Sequence, residues 1–336
     1  MLVIFSYVVL TQMALGNIDE FDCVDIYKQP AFQHPLLKHH KIPEKFTSDE
    51  RFNNRKIKYE TNDQSCPKGT VAILRQRSET ESLHLNTVDE PDEHFAVMDA
   101  FPDESESIYR GAQAAISIHN LTLQDSQYSR SQIWLENGPL GELNSIQVGW
   151  AVNPRVYGDS ATRLTISWTG DGYKTTGCYN TNCPGFIIVT RKPSIGSIFK
   201  QSSVYGDNPV TFTPEVIQGL SGWVLFVNDE TIGYWPTEPL THLNKGASRV
   251  RFGGSTYISP DEISPPMGNG HVPIWDYRRS SSFFHVKLMN NNYQSIENET
   301  TIGVEDSKCF KLMDREYTNE TGKSFSFGGP GGTCGV

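Results

Sequence analysis

The sequence predicts an all-β protein, an antiparallel β-sandwich of two packed sheets or a barrel, preceded by a smaller N-terminal segment. Three observations carry this. Short apolar or alternating runs recur from GAQAAISIHN through SQIWLEN, NSIQVGWAV, TRLTISWT, GFIIVT, GWVLFVN and TIGYWP to SSFFHVKLMN. Gly, Asn, Asp and Pro separate them, and WTGDGYKTTGC and FVNDETIGYW read as hairpins. No stretch in this part sustains a helical period, so sequential strands are expected to pair without crossover helices.

From the N-terminus, MLVIFSYVVLTQMALG carries no charge and ends in the small-residue pattern Ala14-Leu15-Gly16. It reads as a secretory signal peptide, residues 1–16, too short for the ~20 residues a spanning helix needs. Residues 17–90 form a segment of mixed charge. The stretch DEPDEHFAVMDAFPDESE (89–106), acidic and with two prolines, reads as an exposed connection, which places the boundary near residue 90. Residues 91–336 then form the sandwich.

The composition bounds the function. A chain of 336 residues with 37% hydrophobic content buries a substantial core. A net charge of −10 disfavours nucleic acid and anionic membrane surfaces as partners. Six cysteines (Cys23, Cys66, Cys178, Cys183, Cys309, Cys334) in a secreted chain favour disulfides. Of the fifteen possible pairings, near neighbours are favoured: Cys23–Cys66, Cys178–Cys183 and Cys309–Cys334. Only Cys178–Cys183, which closes a tight loop, has a local argument. Sequons at Asn120, Asn298 and Asn319 agree with passage through the secretory pathway, to the extracellular space or the vacuole. Nothing implies a cofactor or a metal: His34, His39 and His40 lack partner cysteines and read as solvated surface. The terminal FGGPGGTCG lacks the lysine of a phosphate loop and reads as a turn-rich tail fixed by Cys334.

Within the sandwich, NSIQVGWAVN alternates cleanly. Ile146, Val148, Trp150 and Val152 share one parity; Ser145, Gln147, Gly149 and Ala151 share the other. Trp150 and, on the next strand, Trp168 therefore belong to the core, while Gln147 faces outward. Tyr173, Tyr234, Trp235 and Tyr257 lie near loops or strand ends, where they are candidates to line a groove that stacks on proline or sugar rings.

The stretches CVDIYKQPAFQHPLLKHHKI, CPKGTVAI, SQIWLENGP, IQVGWAVNPRVYGD, TRLTISWTGDGYKTTGCYNTNCPGF, GYWP and PPMGNGH together resemble the plant neprosin family, over nearly the whole chain from Cys23. The resemblance implies an activation-peptide-like segment followed by a glutamic-peptidase- and lectin-like sandwich. It also implies descent from acid-active peptidases that cut next to proline with two glutamates: one takes a proton from water and the other steadies the carbonyl oxygen. Carried over residue by residue, the first position, two residues before a Gly-Trp pair, is Gln147. The second, after Phe252-Gly253-Gly254, is Ser255.

Neither residue is a general base at acid or neutral pH. Glutamic peptidases of other lineages pair a Gln with a Glu, so the serine is the graver loss. Asp261, Glu262 and Glu142 are the candidates for a relocated carboxylate, and His271 in GNGHVP for a cleft base, against a plain reading of all four as loop residues. The expectation is a non-catalytic homologue that binds peptide or protein, proline-rich segments included, or cell-wall glycan in the cleft. The alternative is an acid peptidase with a relocated carboxylate. Two carboxylates on a sandwich would also suit glycoside hydrolysis, but the sequence places no such pair.

Overall fold

A computed structural model of the chain describes residues 20–46, 65–75, 93–103, 107–182, 184–257, 263–297, 301–305 and 307–334. The strands are β1 (Phe21–Asp25), β2 (Thr70–Leu74), β3 (Glu93–Ala100), β4 (Gly111–Ser117), β5 (Tyr128–Asn137), β6 (Asn144–Val152), β7 (Arg163–Thr169), β8 (Cys178–Tyr179), β9 (Ile187–Ile188), β10 (Thr211–Phe212), β11 (Pro214–Gln218), β12 (Gly222–Val227), β13 (Glu230–Pro236), β14 (Arg249–Tyr257), β15 (Ser281–Met289), β16 (Ser295–Ile296), β17 (Thr301–Glu305), β18 (Lys311–Thr318) and β19 (Gly322–Gly328). One sheet of seven strands runs β17-β3-β14-β5-β6-β7-β8. A second, of ten strands, runs β18-β19-β15-β4-β11-β12-β13-β9, with β10 on β4 and β16 on β15. Every pairing between these strands is antiparallel. Among the described residues no helix is long and apolar enough to cross a membrane.

The two sheets meet through a single apolar layer. Ile133, Leu135, Ile146, Val148, Trp150, Leu164, Ile166, Trp168 and Phe252 of the first sheet pack with Ile116, Val216, Trp223, Leu225, Phe283 and Phe327 of the second. The parity read from NSIQVGWAVN therefore holds: Trp150 and Trp168 are core, and Gln147 points to the opposite face of its sheet. The FVNDETIGYW hairpin also holds. Its turn, Asn228-Asp229, has both residues at positive φ (48° and 65°), as a two-residue turn matched to strand twist requires.

One segment departs from expectation. Residues 93–100, read as part of an exposed acidic connection, form β3, a strand with neighbours on both sides, β14 and β17. The apolar residues Ala96, Val97, Met98 and Ala100 are buried. Flanking acids hid an eight-residue strand because Glu93 and Asp99 are not solvated but paired with arginines.

The N-terminal segment is stitched to the sandwich. β1 and β2 pair and carry the Cys23–Cys66 disulfide; Cys309–Cys334 ties the C-terminal tail. Both pairings match the sequence expectation, and the third expected one, Cys178–Cys183, involves Cys183, outside the described residues. Ala31, Phe32, Ile42 and Phe46 cover an outer apolar patch of the ten-stranded sheet built from Ile217, Val224, Phe226 and Tyr234. The Gln29 amide donates to Ile188 O (3.0 Å) and accepts from Ile188 N (2.8 Å), capping edge strand β9 with a side chain in place of another strand. His40, expected at a solvated surface, is instead held between Tyr234 OH (2.8 Å) and Glu238 (3.0 Å).

At the end of β4, His119 is buried, and its Nε2 lies 2.9 Å from Ser117 Oγ. Burial, helped by His271, pushes its pKa down to about 3. In the unfolded chain it titrates near 6.5. The folded state therefore loses stability as pH falls from about 6.5 towards 3, by roughly 1.4 kcal/mol per pH unit for one proton. Denaturant melts over that range should show this slope, and His119→Gln should flatten it; an unchanged slope would mean the imidazole is charged in the fold.

Candidate functional site

The outer face of the seven-stranded sheet carries Gln147 and Ser255, the two positions singled out by the resemblance, and strand register brings them together. Ser255 on β14 pairs with Arg130 on β5, and Gln147 on β6 pairs with Trp134 on β5 and Ser167 on β7. Gln147 is only 5% exposed. Its Oε1 accepts from Ser167 Oγ (2.8 Å) and Arg130 Nη1 (3.2 Å), while Nε2 donates to Tyr173 OH (2.7 Å). The amide is thus fixed in one orientation, oxygen towards the donors.

Arg130 links the two positions. Its Nε donates to Ser255 Oγ at 2.7 Å, Nη1 reaches Gln147, and Nη2 donates to the Glu93 carboxylate. Its guanidinium also lies 5.1 Å from the Tyr128 ring centre. Arg130 and Glu93 are both nearly inaccessible to solvent. Burial opposes the charge on Arg130, but Glu93 outweighs it and raises the guanidinium pKa well above its ordinary value. The space between Gln147 and Ser255 therefore holds a permanent cation.

Two further pairs lie on the same face: Arg251 with Asp99 (2.8 Å) and Arg249 with Glu136 (2.6 Å). The carboxylates Glu93, Asp99 and Glu136 are each matched to an arginine. Among the described residues no group of three His, Cys, Asp or Glu side chains is placed to hold a metal ion.

Tyr173 is aimed by its loop. In Thr169-Gly-Asp-Gly-Tyr-Lys-Thr-Thr176, Asp171 accepts from the hydroxyls and backbone N–H groups of Thr175 and Thr176. Thr169 Oγ1 accepts from Tyr173 N (2.8 Å). Burial opposes the charge on Asp171, yet these bonds prevail and hold its pKa down at about 2. The loop so pinned holds Tyr173 at φ 63° with its hydroxyl against Gln147. Burial raises the Tyr173 pKa, with Arg130 opposing, so the phenol stays neutral.

Gly149 and Gln132 complete the face. A Cβ on Gly149 would lie 1.9 Å from Ser131 O and 2.8 Å from Gln132 Cγ, so only glycine lets the Gln132 side chain lie across β6. Gln132 is fully buried, and among the described residues neither its amide nitrogen nor its oxygen has a hydrogen-bond partner, an arrangement that ordinarily costs ~1–3 kcal/mol.

The sequence candidates divide cleanly. Gln147, Ser255 and Tyr173 meet through Arg130 or directly, and Tyr257 stacks on Tyr128 (5.5 Å between ring centres) at the end of the same face. Tyr234 and Trp235 do not line this cleft. Tyr234 lies under the N-terminal segment on the other sheet, and Trp235 packs in the core against Phe186. His271 lies in a separate pocket against Tyr205. Glu142 is exposed and meets His242 (3.3 Å) rather than Gln147; Asp261 and Glu262 fall outside the described residues. Of the sequons, Asn120 and Asn319 are exposed and Asn298 is outside the described residues. Arg130, Glu93 and Gln132 went unrecognised. The parity of YSRSQIWLEN does place Arg130 and Gln132 on the cleft face, and that signal was available.

The fold is an antiparallel β-sandwich of two packed sheets. The Neprosin domain profile matches residues 125–330, more than half of the chain, and the Neprosin activation peptide profile matches residues 15–108. The chain belongs to the neprosin family. Among solved structures, it is similar to Scytalido-glutamic peptidase with a peptide-based transition state analog, at 8% identity over 70% of this chain and 97% of that one (TM-score 0.38). It is also similar to SCP-B, a member of the Eqolisin family of peptidases, in a complex with a tripeptide, at 8% identity over 70% and 96% of the two chains (TM-score 0.33).

Removing one member of a buried ion pair strands the other, at a cost of ~3–5 kcal/mol. Arg130→Met and Glu93→Gln should each destabilise by about that much, and the double variant by ~1–3 kcal/mol less than their sum. Additive losses in urea melts would show that the two groups do not interact.

Proposed function

We propose that this neprosin-family protein binds an extended peptide in the cleft without hydrolysing it. The observation that carries this is Arg130, which occupies the space between Gln147 and Ser255 and bonds to both. A general base there must accept a proton from water, yet the amide and the serine cannot, and Glu93 is engaged by the guanidinium. Loss of general acid–base help removes ~10²–10⁴ in rate. The two described disulfides and the signal-like N-terminus support secretion as its setting.

A second reading, a peptidase with a relocated carboxylate, rests on Glu93, one guanidinium away from both positions. Full-length protein incubated with proline-containing peptides from acid to neutral pH separates the two. Binding without turnover is expected, weakened about tenfold by Tyr257→Ala at the end of the same face. Turnover that disappears in Glu93→Gln would establish the second reading instead.

A further inference from the structure

Outside the cleft, the structure holds a second pocket of polar character. It has a volume of about 130 Å³ and is lined by His119, Asn120, Ser202, Tyr205, His271 and Arg278, among others. None of these residues belongs to the Gln147 face. The pocket is formed where the chain leaving β4 meets the loop before β10 and the loop between β14 and β15. The loops are fixed to one another: Ser203 N donates to Ile118 O (2.8 Å), and Gly206 N donates to Arg278 O (2.9 Å). Asn269 accepts from His271 N (3.1 Å) and donates to Arg279 O (3.0 Å).

The chemistry of the lining is dense in hydrogen-bonding groups and poor in net charge. The Arg278 guanidinium is matched by Asp276, through Nε to Oδ1 (2.9 Å) and Nη2 to Oδ2 (3.0 Å). His119 is 7% exposed. Its Nε2 meets Ser117 Oγ, and the residue lines the pocket. Ser202 Oγ accepts from Asn120 Nδ2 (2.9 Å), which leaves its own proton free to donate. Over these groups stands Tyr205, exposed, its ring 4.7 Å from that of His271 and Arg279 6.0 Å away on its face. Further along the same loop Trp275 is 70% exposed. It is not loose: Arg315 donates to Ile274 O (2.7 Å) and Trp275 O (2.5 Å) and lies 6.0 Å from the indole.

A fixed, exposed aromatic ring above a near-neutral patch of hydroxyl, amide and imidazole groups matches a pyranose, whose C–H face stacks while its hydroxyls donate and accept. An anion would compete with Asp276, which already faces both Arg278 and Arg279, and an apolar ligand would leave the hydroxyl, amide and imidazole groups of the lining without partners. We propose that this pocket is a carbohydrate-binding subsite that takes a single neutral sugar ring. Two sources supply that chemistry. One is an external oligosaccharide; the other is an N-glycan on the chain's own Asn120, which lies on the rim in the sequon Asn120-Leu121-Thr122. Asn120 Oδ1 accepts from Thr162 Oγ1 (2.9 Å), and its nitrogen would retain one proton for Ser202 after glycosylation.

The test uses full-length protein from a host that N-glycosylates, beside Thr122→Ala, which removes the sequon at an exposed position and leaves Asn120 in place. Cellohexaose, xylohexaose, mannohexaose and chitotetraose are titrated into both, and the rate at which endoglycosidase releases the Asn120 glycan is compared with that at Asn319. An external ligand predicts saturable binding of at least one probe to Thr122→Ala, weakened tenfold or more by Tyr205→Ala and unchanged by Gln132→Ala. The chain's own glycan predicts slow release at Asn120, restored to the Asn319 rate by Tyr205→Ala, with probes binding only once the sequon is removed. If Asn120 carries no glycan, the titration decides by itself. The proposal is overturned if no probe binds and the two glycans are released alike, if Tyr205→Ala leaves binding and release unchanged, or if inorganic phosphate binds in place of every sugar.

Discussion

The outer face of the seven-stranded sheet depends on one buried contact, the Arg130–Glu93 ion pair. Two charges removed from water are stable only when each satisfies the other and their remaining hydrogen-bonding groups are used. Here three of the five guanidinium N–H groups donate, to Glu93, Ser255 and Gln147, and the group lies near the Tyr128 ring. Gln147 in turn orients Ser167 and Tyr173. The arrangement is self-consistent with an amide and a serine, whereas carboxylates at the same positions would bring two more negative charges to a cation that already has one.

The rest of the fold sets which way this face points. Five central strands, β3, β14, β5, β6 and β7, present their outward parities to the face, while their inward parities fill the apolar layer. A register slip by one residue on any of them would exchange the two, so the core fixes where Arg130 and Gln147 point. The described part of the N-terminal segment covers apolar surface on the opposite sheet, around Tyr234. Its attachment there rests on Gln29, His40 and a disulfide internal to the segment.

Periodicity made much of this legible. Alternation identified the strands, their facing residues and the core tryptophans, because a side-chain period of two is a local property. What stayed hidden depended on partners distant in sequence. Glu93 looked like a linker acid because the arginine that neutralises it is 37 residues away. Tyr234 looked like a groove residue because nothing local shows that His40 and Phe46 lie over it. His271 is a loop histidine until the Tyr205 loop is placed against it. Motif spacing singled out Gln147 and Ser255, but the cation that lies between them was not readable from it. Arg130 is an ordinary strand residue until the register sets Ser255 on one side of it and Gln147 within reach of its side chain.

The central claim is that Arg130 excludes hydrolysis, beyond the simple absence of glutamates. It is tested most directly by acid-pH hydrolysis of a proline-containing peptide by two variants. One carries Gln147→Glu and Ser255→Glu; the other adds Arg130→Leu and Glu93→Gln, so that no buried charge from the old pair is stranded. The account predicts an inactive first variant, since the guanidinium would pair with the new carboxylates, and turnover at least ~10² higher in the second. Equal activity in the two would contradict it.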